Sequence, residues 1–131
     1  MEKVKLQHVL VKMYRSADRL MVAVPLPGLE PEDILVEVSR DDRLLIQGSR
    51  RGMLKDIKEL LIDEWSVGQY RRELDLPNPV DGKKANVTYR NGVLVVALPI
   101  SQKTVAATLM LDRVGTAYGE YAGQAGHVTT L

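Results

Sequence analysis

The 131-residue sequence contains no cysteine and no phenylalanine. Without thiols, disulfides, thiolate zinc centres and cysteine nucleophiles are excluded. The lack of cysteine fits a reducing compartment. Trp65 and five tyrosines are the aromatic side chains, so Leu, Val, Ile and Met must build the core. Neither sign of charge is in excess: 18 basic and 17 acidic residues leave a formal net charge of +1. That balance offers no electrostatic attraction for nucleic acid or for an acidic membrane surface. No apolar run approaches the roughly 20 residues needed to span a bilayer. Met1-Glu2-Lys3-Val4-Lys5 leads into no continuous apolar stretch with a small-residue cleavage site. A cytoplasmic protein is the expectation. Histidine is also scarce. His8 and His127 lie near opposite chain ends, and a metal site or acid–base pair would need both to converge. Gly48, Gly52, Gly68 and Gly92 are scattered and form no phosphate loop. The carboxylates of Glu30, Glu32, Asp33, Asp41 and Asp42 fall in turns and read as solvated. No catalytic residue, metal ligand or cofactor is assigned.

What the chain does have is a series of short apolar runs punctuated by Gly, Pro, Asn and Asp, the pattern of an antiparallel β-sandwich. Leu20 to Leu26 is apolar on both faces, which predicts a strand buried between two layers. Pro27-Gly28 ends it. Ile34, Val36 and Val38 then alternate with Leu35, Glu37 and Ser39. Asp41-Asp42 is a turn, and Leu44-Leu45-Ile46 a further strand ending at Gly48. Tyr70, Leu74 and Leu76 share a face opposite Arg71, Glu73 and Asp75, and Pro77-Asn78-Pro79 breaks the run. Asn91-Gly92 sits between Ala85–Arg90 and the apolar Val93–Leu98. It is the strongest short-range hairpin signal, because a type I′ turn needs positive φ at both central residues. The Ser49–Glu64 segment is less plain. Leu54, Ile57, Leu60 and Leu61 fall at helical spacing, yet Leu60-Leu61-Ile62 reads equally as a short strand. A loop this long usually carries function. Beyond Val105 the chain is Ala- and Gly-rich and reads as a loosely packed tail. There the Gly115, Gly119 and Gly123 spacing lacks the apolar stretch of a membrane helix pair.

Several of these features, in this order, resemble the small heat-shock proteins with their α-crystallin domain. Pro27-Gly28 followed by Ile34–Val38 resembles one block of that family, and Leu44–Gly48 the next. Glu64 with Gly68-Gln69-Tyr70-Arg71-Arg72 and the closing Leu76-Pro77 resembles a third. Ala85 with Asn91-Gly92-Val93-Leu94, ending at Leu98-Pro99, resembles the family signature. The resemblance covers roughly Val11 to Pro99. It implies an all-β fold, a two-sheet antiparallel sandwich of the α-crystallin, immunoglobulin-like type. The expected organisation is a short N-terminal arm at residues 1–10, the domain at 11–100 with its long loop at 49–64, and a C-terminal extension at 101–131. The family's arm is usually longer and rich in Phe, so large oligomers are in doubt.

The resemblance also implies sites and partners. In bacterial and plant members the long loop crosses to a second subunit, where its short strand pairs with that subunit's first strand. By that analogy the dimer contact takes in Leu10, Lys12, Tyr14, Leu60, Leu61, Ile62, Trp65 and Arg72. Arg72 shares the face of Tyr70 and Leu74, so either its head reaches solvent or it pairs with carboxylates at that interface. The family also docks an apolar-x-apolar tail motif into a groove of a neighbouring subunit. Here the motif would be Leu109 and Leu111, and the groove Ile34, Val36, Val38, Ala85, Val87 and Tyr89. The alternative is that Leu109 and Leu111 pack on their own domain. The implied function is that of an ATP-independent holdase chaperone. Its partners would be partly unfolded client proteins and a second copy of the chain, as a homodimer or larger homo-oligomer. A structural or co-chaperone-like module with one fixed partner stays open as the other reading; an enzyme is not expected.

Overall fold

A computed structural model describes residues 6–49, 56–64, 69–111, 120–124 and 128–129. Eleven strands lie within them: β1 (Leu6–His8), β2 (Lys12–Ser16), β3 (Arg19–Pro25), β4 (Ile34–Ser39), β5 (Arg43–Ser49), β6 (Gln69–Asp75), β7 (Asn86–Arg90), β8 (Val93–Pro99), β9 (Ala107–Met110), β10 (Glu120–Gln124) and β11 (Val128–Thr129). They form a six-stranded sheet in the order β1-β6-β5-β4-β9-β11 and a five-stranded sheet in the order β10-β7-β8-β3-β2. Among these pairings only β1 with β6 is parallel. The chain is all-β with two antiparallel layers, the expected sandwich.

Alternation decides which side chains meet between the layers. Ile34, Val36 and Val38 of β4 and Leu44 and Ile46 of β5 point inward. Val22 and Val24 of β3 and Leu94, Val96 and Leu98 of β8 face them from the other sheet, all fully buried. Each such side chain contributes roughly 1.5–3 kcal/mol on leaving water. At one end of this core the hairpin turn and the Pro27-Gly28 turn pack together. Asn91 and Gly92 have φ of 53° and 79°, as a type I′ turn requires, and Arg90 pairs directly with Val93. Gly92 accepts a 2.7 Å hydrogen bond from the Leu26 amide. One tyrosine from each sheet secures the second turn: Tyr70 donates to the Pro27 carbonyl at 3.0 Å, and Tyr89 to that of Leu26.

Three sequence expectations need correction, and the reading of the long loop stays open. The β3 run is not buried on both sides. Leu20, Val22 and Val24 enter the core, but Met21 and Ala23 are only half-buried and Pro25 is exposed. A two-layer sandwich has no third layer to cover that face. The β5 strand continues past Gly48 to Ser49, because Gly48 still pairs with both Ile34 and Tyr70. Residues 56–64 form neither helix nor strand. Leu54 lies outside the described residues, so the helical spacing keeps no partner there to judge it by. Finally, the described residues after Val105 include strands: β9 is a core strand, and β10 and β11 extend one sheet each. β1 and β9 both belong to the sandwich, although they fall in the segments read as arm and extension.

Candidate interaction surfaces

The first surface lies on the outer face of the five-stranded sheet. Residues directly opposite in an antiparallel pair share a face. Lys12 opposes Ala23 and Tyr14 opposes Met21. Pro25 opposes Val93, Ala23 opposes Val95, and Met21 opposes Ala97. The outward row is therefore mostly apolar across three strands. Leu10, Val11, Lys12, Ala23, Pro25 and Val93 line a 370 Å³ groove there. Leu10 is 71% exposed and Val93 39%. Next to this groove β2 is an edge strand, paired among the described residues only with β3. Among the described residues no second strand pairs with its outer backbone groups, which makes it a template for a further strand.

Elsewhere on the chain, Leu61 is 81% and Ile62 74% exposed, with Leu60 exposed beside them. Three consecutive large apolar residues in water are a second unsatisfied surface. Trp65 lies outside the described residues. Arg72 is half-buried in β6, and its Nη1 donates to the Val9 carbonyl at 2.9 Å. The structure gives this head group a backbone carbonyl partner just before β2, beside the solvent or carboxylate that the sequence suggests. No pattern signals that partner, since the contact joins residues far apart in the chain.

The third region is the groove between β4 and β7. Ile34, Val36, Val38, Ala85, Val87 and Tyr89 are all buried. What covers them includes β9, which pairs with β4 in the register Leu35–Met110 to Val38–Ala107. Leu109 is 1% and Leu111 3% exposed, both in the same core cluster. Within this chain Leu109 and Leu111 thus pack on their own domain, the alternative that the sequence left open. A six-residue connector after Ile100 is short enough to return the chain there. Gly82, not singled out by sequence, lies in a one-turn 3-10 helix, Gly82–Lys84, and allows this return. A Cβ on Gly82 would fall 2.6 Å from the Val105 carbonyl oxygen.

The polar residues carry structural duties. Glu30's amide donates to Asp33, Ser39 donates to Asp41, and the Thr104 hydroxyl donates to Asp42. A concavity lined by Arg40, Lys83 and Lys103 holds surface cations around that Thr104–Asp42 pair. His8 lies in β1 and His127 outside the described residues. Among the described residues no cluster of three or more metal-ligating side chains occurs, and no helix is long and apolar enough to cross a membrane.

Comparison with known proteins agrees with this architecture. The sequence model described as the Hsp20/alpha crystallin family matches residues 12–108. A probable 15 kDa heat shock protein of Leptospira interrogans is 32% identical over 99 residues, which are 75% of this chain and 74% of that protein. The 18 kDa antigen 1 of Mycobacterium avium is 32% identical over 69% of this chain, but the match spans 60% of its own length. Among solved structures, heat shock protein 16.0 of Schizosaccharomyces pombe aligns with a TM-score of 0.64 at 25% identity, over 75% of this chain and 70% of that one. A small heat-shock protein of Xylella fastidiosa aligns at 0.62 and 25% identity, over 84% and 98%. With the fold, the hairpin signature and a match across both sheets in agreement, the chain belongs to the Hsp20/alpha crystallin family.

Proposed function

We propose that this protein is an ATP-independent holdase that binds partly unfolded chains and keeps them from aggregating. Membership in the family supports a chaperone role. The observation that carries the finer reading is the outer apolar row beside the open edge of β2. An unfolding client exposes apolar side chains and unpaired strand backbone together. Strand addition to β2 satisfies the backbone, and the groove by Leu10, Ala23 and Val93 takes the side chains. Binding of this kind needs no nucleotide, metal or covalent step. We place it in the cytoplasm on composition alone.

The same surface serves self-association in this reading. Leu60, Leu61 and Ile62 of one copy pair with β2 of another, near Leu10, Lys12 and Tyr14. Burying two or three such side chains per copy gives several kcal/mol, enough to offset much of the cost of joining two chains. A dimer of this form occupies the β2 edge, so in this reading clients and the second copy compete for it, and clients bind when the two copies separate. The test is light scattering of a thermally unfolding client, with and without this protein and without ATP. Suppression at or below equimolar ratio, across unrelated clients, is the expected result. Suppression of none would favour a module with one fixed partner.

A further inference from the structure

On the six-stranded sheet, cations and acids pair: Arg43 and Arg71 both hold Glu73, at 3.1 and 2.7 Å. One end of the sandwich departs from that pattern. Among the described residues a 740 Å³ concavity there is lined by Arg40, Lys83 and Lys103, with Asp42 as its one carboxylate. The cations come from three separate segments: the turn between β4 and β5, the 3-10 turn Gly82–Lys84, and the connector from β8 to β9. None of the three has an ion pair among the described residues. Asp42 turns its carboxylate to the Thr104 hydroxyl instead. The segments are tied to one another. Thr104 also accepts from the Val80 amide at 3.2 Å, so Asp42 fixes its turn to the connector. Gly82 donates to the Val105 carbonyl and Val105 to that of Val80, each at 2.9 Å, which fixes the 3-10 turn to the same connector. The Arg40, Lys83 and Lys103 side chains themselves are exposed.

Like charges held around a concave surface concentrate a positive potential. Three cations against one carboxylate make this spot more positive than the whole chain, whose formal net charge is +1. Beyond its charges the lining offers amide, hydroxyl and aliphatic groups, and no aromatic face for a nucleobase. Its volume suits a small ligand and exceeds what a single tetrahedral anion fills. We propose that this concavity binds a chain of linked inorganic phosphates, one group to each of Arg40, Lys83 and Lys103. The Arg40 guanidinium is a planar fork for two phosphate oxygens, and the two lysines are compact charges free to follow the chain. Neither the outer apolar row nor Leu60, Leu61 and Ile62 takes part. The inference therefore goes beyond the holdase reading and does not depend on it.

Calorimetric titration of the full-length protein with sodium triphosphate tests it, at about 50 mM salt and without divalent cations. The parent should bind triphosphate. A Lys83→Gln, Lys103→Gln variant with an unchanged circular dichroism spectrum should bind at least about tenfold more weakly. Lys58→Gln with Arg90→Gln removes the same charge outside the concavity and should bind as the parent does. Equal weakening in both variants, or no binding by the parent, overturns the proposal. ATP carries the same linked phosphates and should bind no more tightly than triphosphate, since no aromatic side chain is there to stack on its base. Tighter binding of ATP would make this a nucleotide site, and equal binding of a tetraglutamate peptide a site for acidic segments; either overturns the phosphate-chain assignment. Should the first variant not fold, amine labelling of the parent decides. Saturating triphosphate should slow labelling of Lys83 and Lys103 at least about threefold, by mass action, and leave Lys12 and Lys58 at their own rates. Unchanged labelling of Lys83 and Lys103 overturns the site. None of these measurements uses a client, so a negative aggregation assay leaves it standing.

Discussion

Single positions in this sandwich differ sharply in what they tolerate. Gly92 sits at φ 79°, where a side chain meets its own carbonyl, and a Cβ there would lie 3.4 Å from the Pro27 Cα. Gly92→Ala should therefore lower stability by about 1–2 kcal/mol in urea unfolding. Thr108→Val should do the reverse. It removes an unpartnered buried hydroxyl at nearly constant volume, for a gain of about 1 kcal/mol, seen as a higher urea midpoint. Arg72→Ala removes the donor to Val9 and should cost about 1–2 kcal/mol; an unchanged midpoint would mean that a solvated head contributes nothing. These three residues also mark the reach of the sequence. Asn91-Gly92 announces its turn because the φ requirement is local. Arg72 announces a need for a partner through strand alternation, but the partner is set by tertiary approach. Thr108 announces nothing, since a threonine in an Ala-rich tail is ordinary until a sheet closes over it.

At the level of elements, the same division holds. Core-facing strands are legible wherever one face alternates with polar residues, as in β4 and β6. β3 reads as doubly buried because apolar residues on both faces look alike whether a third layer or another molecule is to cover the second. β9 is hard to see as a strand of its own domain because Ala107-Thr108-Leu109-Met110 has no turn chemistry to bound it and only two large apolar positions. The long loop leaves helix and strand open, and residues 56–64 adopt neither within one chain. Their apolar side chains face water, so polar replacements should leave the protomer intact. Leu61→Asp with Ile62→Asp should change protomer stability by less than about 0.5 kcal/mol. The same variant should raise the dimer dissociation constant about a hundredfold or more in sedimentation, since each lost side chain is worth roughly 1.5–3 kcal/mol. An unaffected dimer would locate the interface elsewhere.

For the molecule as a whole, the formal net charge of +1 and the apolar outer face point to recognition without long-range electrostatics. Suppression of client aggregation should persist when salt is raised to about 0.5 M, where exposed charge pairs are screened. Loss of activity in light scattering under those conditions would implicate charged contacts instead. One further consequence follows from how the six-stranded sheet ends. Among the described residues its outermost strands, β1 and β11, have three and two residues. Strands that short make poor templates, a common defence against runaway edge-to-edge growth. Among the described residues the longer outermost strands, β2 and β10 with five residues each, belong to the five-stranded layer. A cross-β fibril needs stacked sheets that elongate together. A protein crowded against aggregating strands can thus offer an edge to them without becoming the seed of an amyloid.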